Sequence, residues 1–175
     1  MAQARPPSSP QATPPAPQAV SASQATPSAP QAVLFACGLN AVRSPMAAAL
    51  LRHMRGAPLY VASAGVRAAE LDPFAVAAME EIGIDIAGHR PMTFEKLEDL
   101  EGLNFDLIIT LSPEAHHKAL ALTHRIAAQV EYWPTADPAD VEGNRAQRLD
   151  AYRAVRDQLI ERIRSRFPRP PAPNE

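Results

Sequence analysis

One cysteine, Cys37, stands in a chain of 175 residues, so no disulfide can form within it. A lone thiol of this kind is either a buried hydrophobe or a nucleophile, and it points to a reducing compartment, the cytoplasm. Long apolar runs are also missing. Nothing approaches the ~20 residues of a membrane span, and Arg5 near the N-terminus is followed by no apolar stretch of the signal-peptide type. An excess of positive charge is missing too: 17 Lys and Arg stand against 19 Asp and Glu, a net charge of -2 that supplies no electrostatic basis for nucleic acid. Residues 1–31 lack glycine, aromatic and acidic residues altogether and hold eight prolines, with Arg5 as their single charge. Loose repeats of PQAT, PQAV and SQAT run through them. Such a segment has too little apolar surface to offset the entropy of ordering, so a disordered tail is expected there. Residues 168–175, with four prolines in eight positions, form a second tail. The intervening residues 32–167, about 135 in all, suffice for one core without disulfides or metals.

Short apolar runs in this middle region alternate with helical patterns. Buried strands are expected at Ala32–Ala36, Leu59–Ala62 and Leu107–Leu111, with a shorter one at Val130–Tyr132. Three helices share one opening, an N-cap side chain followed by proline: Ser44-Pro45, Asp72-Pro73 and Ser112-Pro113. The last helix keeps Leu149, Tyr152, Val155, Leu159, Ile160, Ile163 and Phe167 at helical spacing. Strands alternating with helices imply an α/β fold, a parallel sheet covered on both faces. Ligands in such sheets bind beyond the carboxyl ends of the strands. The segment leaving the first strand is therefore the place to look.

That segment reads Cys37-Gly38-Leu39-Asn40-Ala41-Val42-Arg43-Ser44, then Pro45. A cysteine ends a buried strand, five residues follow, then an arginine and a helix. Helix N-termini and nearby cations favour the thiolate, which is the nucleophile. Successive backbone N–H groups wrapped before a helix make an anion nest, and a guanidinium adds a fork that matches two phosphate oxygens. Ser44 is expected to cap the helix and to offer its hydroxyl to the sulfur. A C-x5-R match alone is weak. The strand before it, the Ser-Pro after it and its place at the first turn of an α/β pattern make it specific for a nucleophile aimed at phosphorus.

With its C-x2-N-x2-R-S-P core, the run VLFACGLNAVRSPMAAALL resembles the opening of the low-molecular-weight protein tyrosine phosphatases. Ser63-Ala64-Gly65 after the second strand, Gly83-Ile84-Asp85 with His89 beyond it, and Asp137-Pro138 match in order, so the resemblance spans roughly residues 33–167. It implies a three-layer αβα fold of the phosphatase I type, Rossmann-like, around a four-stranded parallel sheet. It implies hydrolysis of a phosphomonoester through a phosphocysteine, with Cys37 as nucleophile, Arg43 and the loop Gly38 to Ser44 as phosphate binders, and Asp137 as general acid. Asn40 would hold the loop's shape, supported by Ser44, Ser63 and His89. The implied partners are a phosphorylated protein (phosphotyrosine) or a small phosphate ester, with inorganic phosphate released and no cofactor. Other cysteine-dependent phosphatases place the acid before the nucleophile. This chain has no Asp or Glu before Glu70, which leaves only the low-molecular-weight order.

Several positions depart from that pattern. Val42 stands where many members carry a second, protective cysteine, and Leu39 stands where glycine is frequent. Eukaryotic-type members place aromatics after the Asp-Pro pair and after the second strand. Here those stretches are Pro138-Ala139-Asp140 and Val66 to Glu70. The alternative is arsenate reductase, which uses the same loop. With one cysteine only a version coupled to an external thiol survives, and Pro45, where the reductases commonly have glutamine, argues mildly against it. A silent phosphate-binding module is a third reading. Asp140 and Glu142 are rivals to Asp137, and Asp137-Pro138 has the form of a turn cap. His116, His117 and His124 lack the i, i+4 spacing of a helical metal pair and are expected as solvated helix residues. The arginines from Arg145 to Arg169 are expected on a charged outer face.

Overall fold

The computed structural model describes residues 28–56 and 58–169. The expected tail at 1–31 lies almost wholly outside them, as does most of 168–175. Four parallel strands, β1 (Ala32–Cys37), β2 (Tyr60–Gly65), β3 (Leu107–Thr110) and β4 (Gln129–Tyr132), lie in the order β2-β1-β3-β4. The helices are α1 (Arg43–Arg55), α2 (Pro73–Glu80), α3 (Phe94–Glu101), α4 (Pro113–Leu122) and α5 (Arg145–Arg166). None of these described helices is long and apolar enough to cross a membrane.

Strand side chains alternate between faces, and β1 divides the core accordingly. Val33, Phe35 and Cys37 pack with α1, α2 and α5, whereas Leu34 and Ala36 pack with α3 and α4. The three-layer αβα architecture expected from the sequence is thus present. All four expected strands form, with bounds shifted by a few residues. Ser63-Ala64-Gly65 belongs to β2 rather than following it, because Gly65 stays in parallel register with Cys37.

Asp72 and Ser112 cap their helices as expected, accepting from the N–H groups of Phe74 (2.8 Å) and Ala115 (3.3 Å). Ser44 does not. Its helix starts one residue earlier, at Arg43, and Val42 flanks it with no side-chain cap. Pro45 is tolerated there because first-turn N–H groups have no intrahelical acceptor. Helix α3 has no cap–proline signature; Thr93 opens it, accepting from Lys96 N–H at 3.1 Å, and Phe94 and Leu97 are its buried contacts. Arg156 corrects the expected outer face of α5. It is buried, donates to the carbonyl of Ala78 at 2.8 Å, and is paired with Glu81 and Asp157.

Candidate functional site

Beyond the carboxyl end of β1 the chain wraps from Cys37 to Arg43, and its carbonyls are tied outward. Those of Cys37, Gly38, Leu39 and Ala41 accept from the N–H groups of Val66, Arg67, Ala69 and Asp72 at 3.2, 2.9, 3.1 and 3.1 Å. A peptide whose carbonyl is held outward turns the following N–H inward. Among the described residues the N–H groups of Gly38 to Val42 have no acceptor. Gly65 is what allows the strap 66–72 this close. A Cβ there would lie 2.2 Å from the Arg67 carbonyl oxygen and 2.8 Å from the Asn40 nitrogen, both backbone atoms.

Asn40 sits at the loop's sharpest point with φ of 52°, left-handed backbone that asparagine tolerates better than most residues. It is fully buried and fully bonded. Met92 N–H donates to its Oδ1 at 2.9 Å, which fixes that atom as the oxygen. The amide nitrogen therefore donates to Ser44 Oγ (2.9 Å) and Ser63 Oγ (3.0 Å). His89 Nε2 faces two acceptors, Asn40 Oδ1 at 3.1 Å and the Asn40 carbonyl at 3.3 Å, so Nε2 carries the proton. Ser44 Oγ lies 3.0 Å from Cys37 Sγ. Asn40 donates to that oxygen, and the hydroxyl proton has two acceptors in reach, the sulfur and, farther off at 3.4 Å, the Ala64 carbonyl. The expected support from Ser44, Ser63 and His89 is brought together here; Met92 N–H is a fourth member, invisible to side-chain patterns.

Arg43 runs along the cradle with its side chain 11% exposed. Its Nη1 donates to the Thr135 carbonyl (2.9 Å) and its Nη2 to Asp137 Oδ2 (3.1 Å), while Nε is buried without a partner. Such an orphan donor is rare in a folded chain and calls for an acceptor. The second Asp137 oxygen accepts from Ala139 N–H at 3.0 Å and caps a three-residue 3-10 turn, Pro138–Asp140. Asp137 thus has both forms weighed from sequence, turn cap and site residue. Cys37, Leu39, Arg43, Glu70, Asp72 and Asp137 are among the residues lining one pocket of about 330 Å³. The rivals Asp140 and Glu142 do not line it, nor does any aromatic side chain. Tyr132 is stacked on His116 with ring centroids 4.6 Å apart, and Trp133 meets Phe35 edge-on. His116, expected as solvated, is instead half-buried and bonded through Nδ1 to Thr110 Oγ1 at 3.0 Å.

Residues 32–168 match the family described as low molecular weight phosphotyrosine protein phosphatase. The chain belongs to this family. An arsenate reductase of Shouchella clausii is 34% identical over 137 residues, covering 75% of this chain and 91% of the relative. Two solved members are similar in fold. The low molecular weight protein tyrosine phosphatase of T. tengcongensis has a TM-score of 0.62 and 27% identity, covering 76% of this chain and 95% of that one. An arginine phosphatase from Geobacillus stearothermophilus has a TM-score of 0.60 and 28% identity, covering 79% and 90%. The family is one of enzymes, and its members include both phosphatases and proteins named as arsenate reductases.

Burial pushes His89 below the ordinary histidine range, Arg52 adds to that shift, and the hydrogen bond to Asn40 opposes it. His89 is thus held neutral in the fold, while an unfolded histidine titrates near ~6.5. Between the lowered value and ~6.5 the unfolded chain binds more protons, so stability rises with pH. The contribution is complete above ~6.5 and is lost as pH falls through the folded value. Urea unfolding at pH 5, 6 and 7 should therefore give a shallower pH slope for His89→Gln than for the parent. Identical slopes would remove His89 from the pH dependence.

Proposed function

We propose that the chain is a cysteine-dependent phosphomonoesterase that works through a phosphocysteine. One observation carries this reading: Cys37 and Arg43 line one pocket, the loop N–H groups between them have no acceptor among the described residues, and Arg43 Nε is buried without a partner. Donors on several sides of one thiol fit a tetrahedral oxyanion. The Cys37 thiolate, with Ser44 donating to it, attacks phosphorus and expels the leaving oxygen. Arg43 and the N–H groups of Gly38 to Val42 hold the nonbridging oxygens, whose charge is greatest in the transition state. Asp137 protonates the leaving oxygen, then takes a proton from the water that cleaves the phosphocysteine and releases inorganic phosphate. The incoming anion competes with Asp137 for Arg43, which frees the carboxyl group to face the leaving group. A lone thiol suits a reducing compartment such as the cytoplasm.

Arsenate reduction is the second reading, favoured by the name of the Shouchella clausii relative. It requires two electrons. Cys37 alone cannot close a disulfide within the chain, so a small external thiol would have to supply the second sulfur. Release of p-nitrophenol from p-nitrophenyl phosphate without added thiol supports the phosphatase. Thiol-dependent loss of arsenate with no ester turnover would replace it. The wall offers no aromatic platform, so the reading accommodates phosphotyrosine or smaller esters.

Asn40→Ala should lower kcat more than it raises KM. The change strands the Met92 N–H and two buried serine hydroxyls and puts alanine at positive φ, a structural cost on the order of 2–4 kcal/mol. A kinetic split in kcat distinguishes loss of loop shape from loss of stability alone, and a change confined to KM would refute it.

A further inference from the structure

The first turn of α5, like those of α1 and α2, holds no acidic residue. It contains Arg145 and Arg148, whereas α3 and α4 place Glu95 and Glu114 there. A helix N-terminus carries positive partial charge, so cations at that end oppose the dipole. The turn is already capped, by a reciprocal pair of bonds between Asn144 and Gln147. Arg153, Arg156, Arg164 and Arg166 farther along α5 each have a carboxylate within salt-bridge distance. Among the described residues the Arg145 and Arg148 side chains have neither an ion pair nor a hydrogen bond. Both instead lie over the ring of Phe74, at 5.9 and 4.7 Å from its centroid. Ring stacking holds a guanidinium in place while leaving its N–H fork unused.

This pair is joined to the pocket through packed groups. Phe74 is stacked on Tyr152 at 5.3 Å, and the Tyr152 hydroxyl donates to Asp72 Oδ2 at 2.6 Å. Asp72 and Pro73 line the pocket, and Phe74, the ring that holds both arginines, is the next residue along the chain. The wall itself is the wrong sign for an acidic substrate, since Glu70, Asp72 and Asp137 line it with Arg43 as its one cation. A chain of net charge -2 therefore gathers two unpaired guanidiniums on the ring that follows the pocket-lining Pro73.

From the open guanidinium pair of Arg145 and Arg148 on Phe74, we infer a second anion subsite that holds an acidic residue next to the phosphorylated side chain of a polypeptide substrate. Arg145 is exposed and Arg148 half-buried, both outside the cavity. The group they meet belongs to the segment that emerges from the pocket, not to the phosphoryl group. The inference deepens the phosphatase reading, and it rests on it.

Binding separates the two. Anisotropy of labelled phosphotyrosine peptides, one with acidic and one with neutral flanks, is measured on the Cys37→Ser chain, where no turnover is needed. The acidic peptide should bind about tenfold more tightly, the order expected for two exposed charge-assisted pairs. Adding Arg145→Gln and Arg148→Gln should abolish that preference, and ~0.5 M salt should shrink it by screening. Equal affinity for the two peptides, or a preference that survives both substitutions, would overturn the subsite. So would tighter binding of a small dianionic ester than of the acidic peptide, if that too depended on the two arginines. Failure of the wild-type chain to hydrolyse p-nitrophenyl phosphate would strike the phosphatase reading instead, and leaves the binding comparison able to decide the subsite.

Discussion

Cys37→Ser is expected to lose at least roughly 10⁴-fold in kcat, the scale seen when the nucleophile of a catalytic unit is removed. A serine hydroxyl in the same place is a far weaker nucleophile than a thiolate. The cradle around it should survive. The tied carbonyls, the bonds of Asn40 to Ser63 and Met92, and Arg43 all depend on other atoms. Inorganic phosphate or vanadate should therefore still raise the Tm of the variant, because a ligand that binds only the folded state stabilises it by mass action. Arg43→Ala should do the reverse and abolish the ligand-induced rise. Acid-quenched wild-type chain, taken during turnover, should carry a phosphoryl group on Cys37. Turnover by the serine variant, or no phosphocysteine in the quenched chain, would end the covalent mechanism.

Asp137→Asn is expected to lose about 10²–10⁴-fold on esters with poor leaving groups, the usual worth of general acid catalysis. With a very acidic phenol the loss in the phosphorylation step should shrink, because that oxygen leaves without a proton. Asparagine is the informative replacement because Asp137 has two duties. Its Oδ1 caps the 3-10 turn through Ala139 N–H, and its Oδ2 accepts from Arg43 Nη2. The amide oxygen keeps the cap, whereas the NH2 that replaces Oδ2 cannot accept from Arg43 Nη2, so the ion pair is lost together with the proton chemistry and the Tm should fall only modestly, as for a part-exposed pair. A loss equal across leaving groups would make Asp137 a positioning residue for Arg43. Asp140 and Glu142 are poor substitutes, since neither lines the pocket.

Wherever the signal lay in near neighbours, it could be read from the chain. β1 and β3 were legible because buried parallel strands are short continuous apolar runs, and Asp72 and Ser112 because an N-cap before proline is a local device. Cys37 and Arg43 were legible because seven consecutive residues of one loop carry both. Ser44 was misread as a cap. Its sequence signal is the same as that of Ser112, and only the approach of Cys37 Sγ and Asn40 redirects its hydroxyl. Arg156 looked like a surface charge because periodicity reports a face, not what covers it. Glu81 and the carbonyl of Ala78 cover it from another helix end.

By itself the sequence determined the alternation of strands and helices, the thiol-to-arginine loop and the family resemblance, all set by dihedral preference and spacing over a few residues. Tertiary structure alone decided what makes those residues a site. The strap 66–72 turns the loop's N–H groups inward, Met92 orients the Asn40 amide, and Asp137 meets Arg43 across 94 positions of chain. The physical reason is one of range. Backbone groups and directional side-chain bonds take whichever partner the packed layers bring near, and no local pattern encodes a partner that distant.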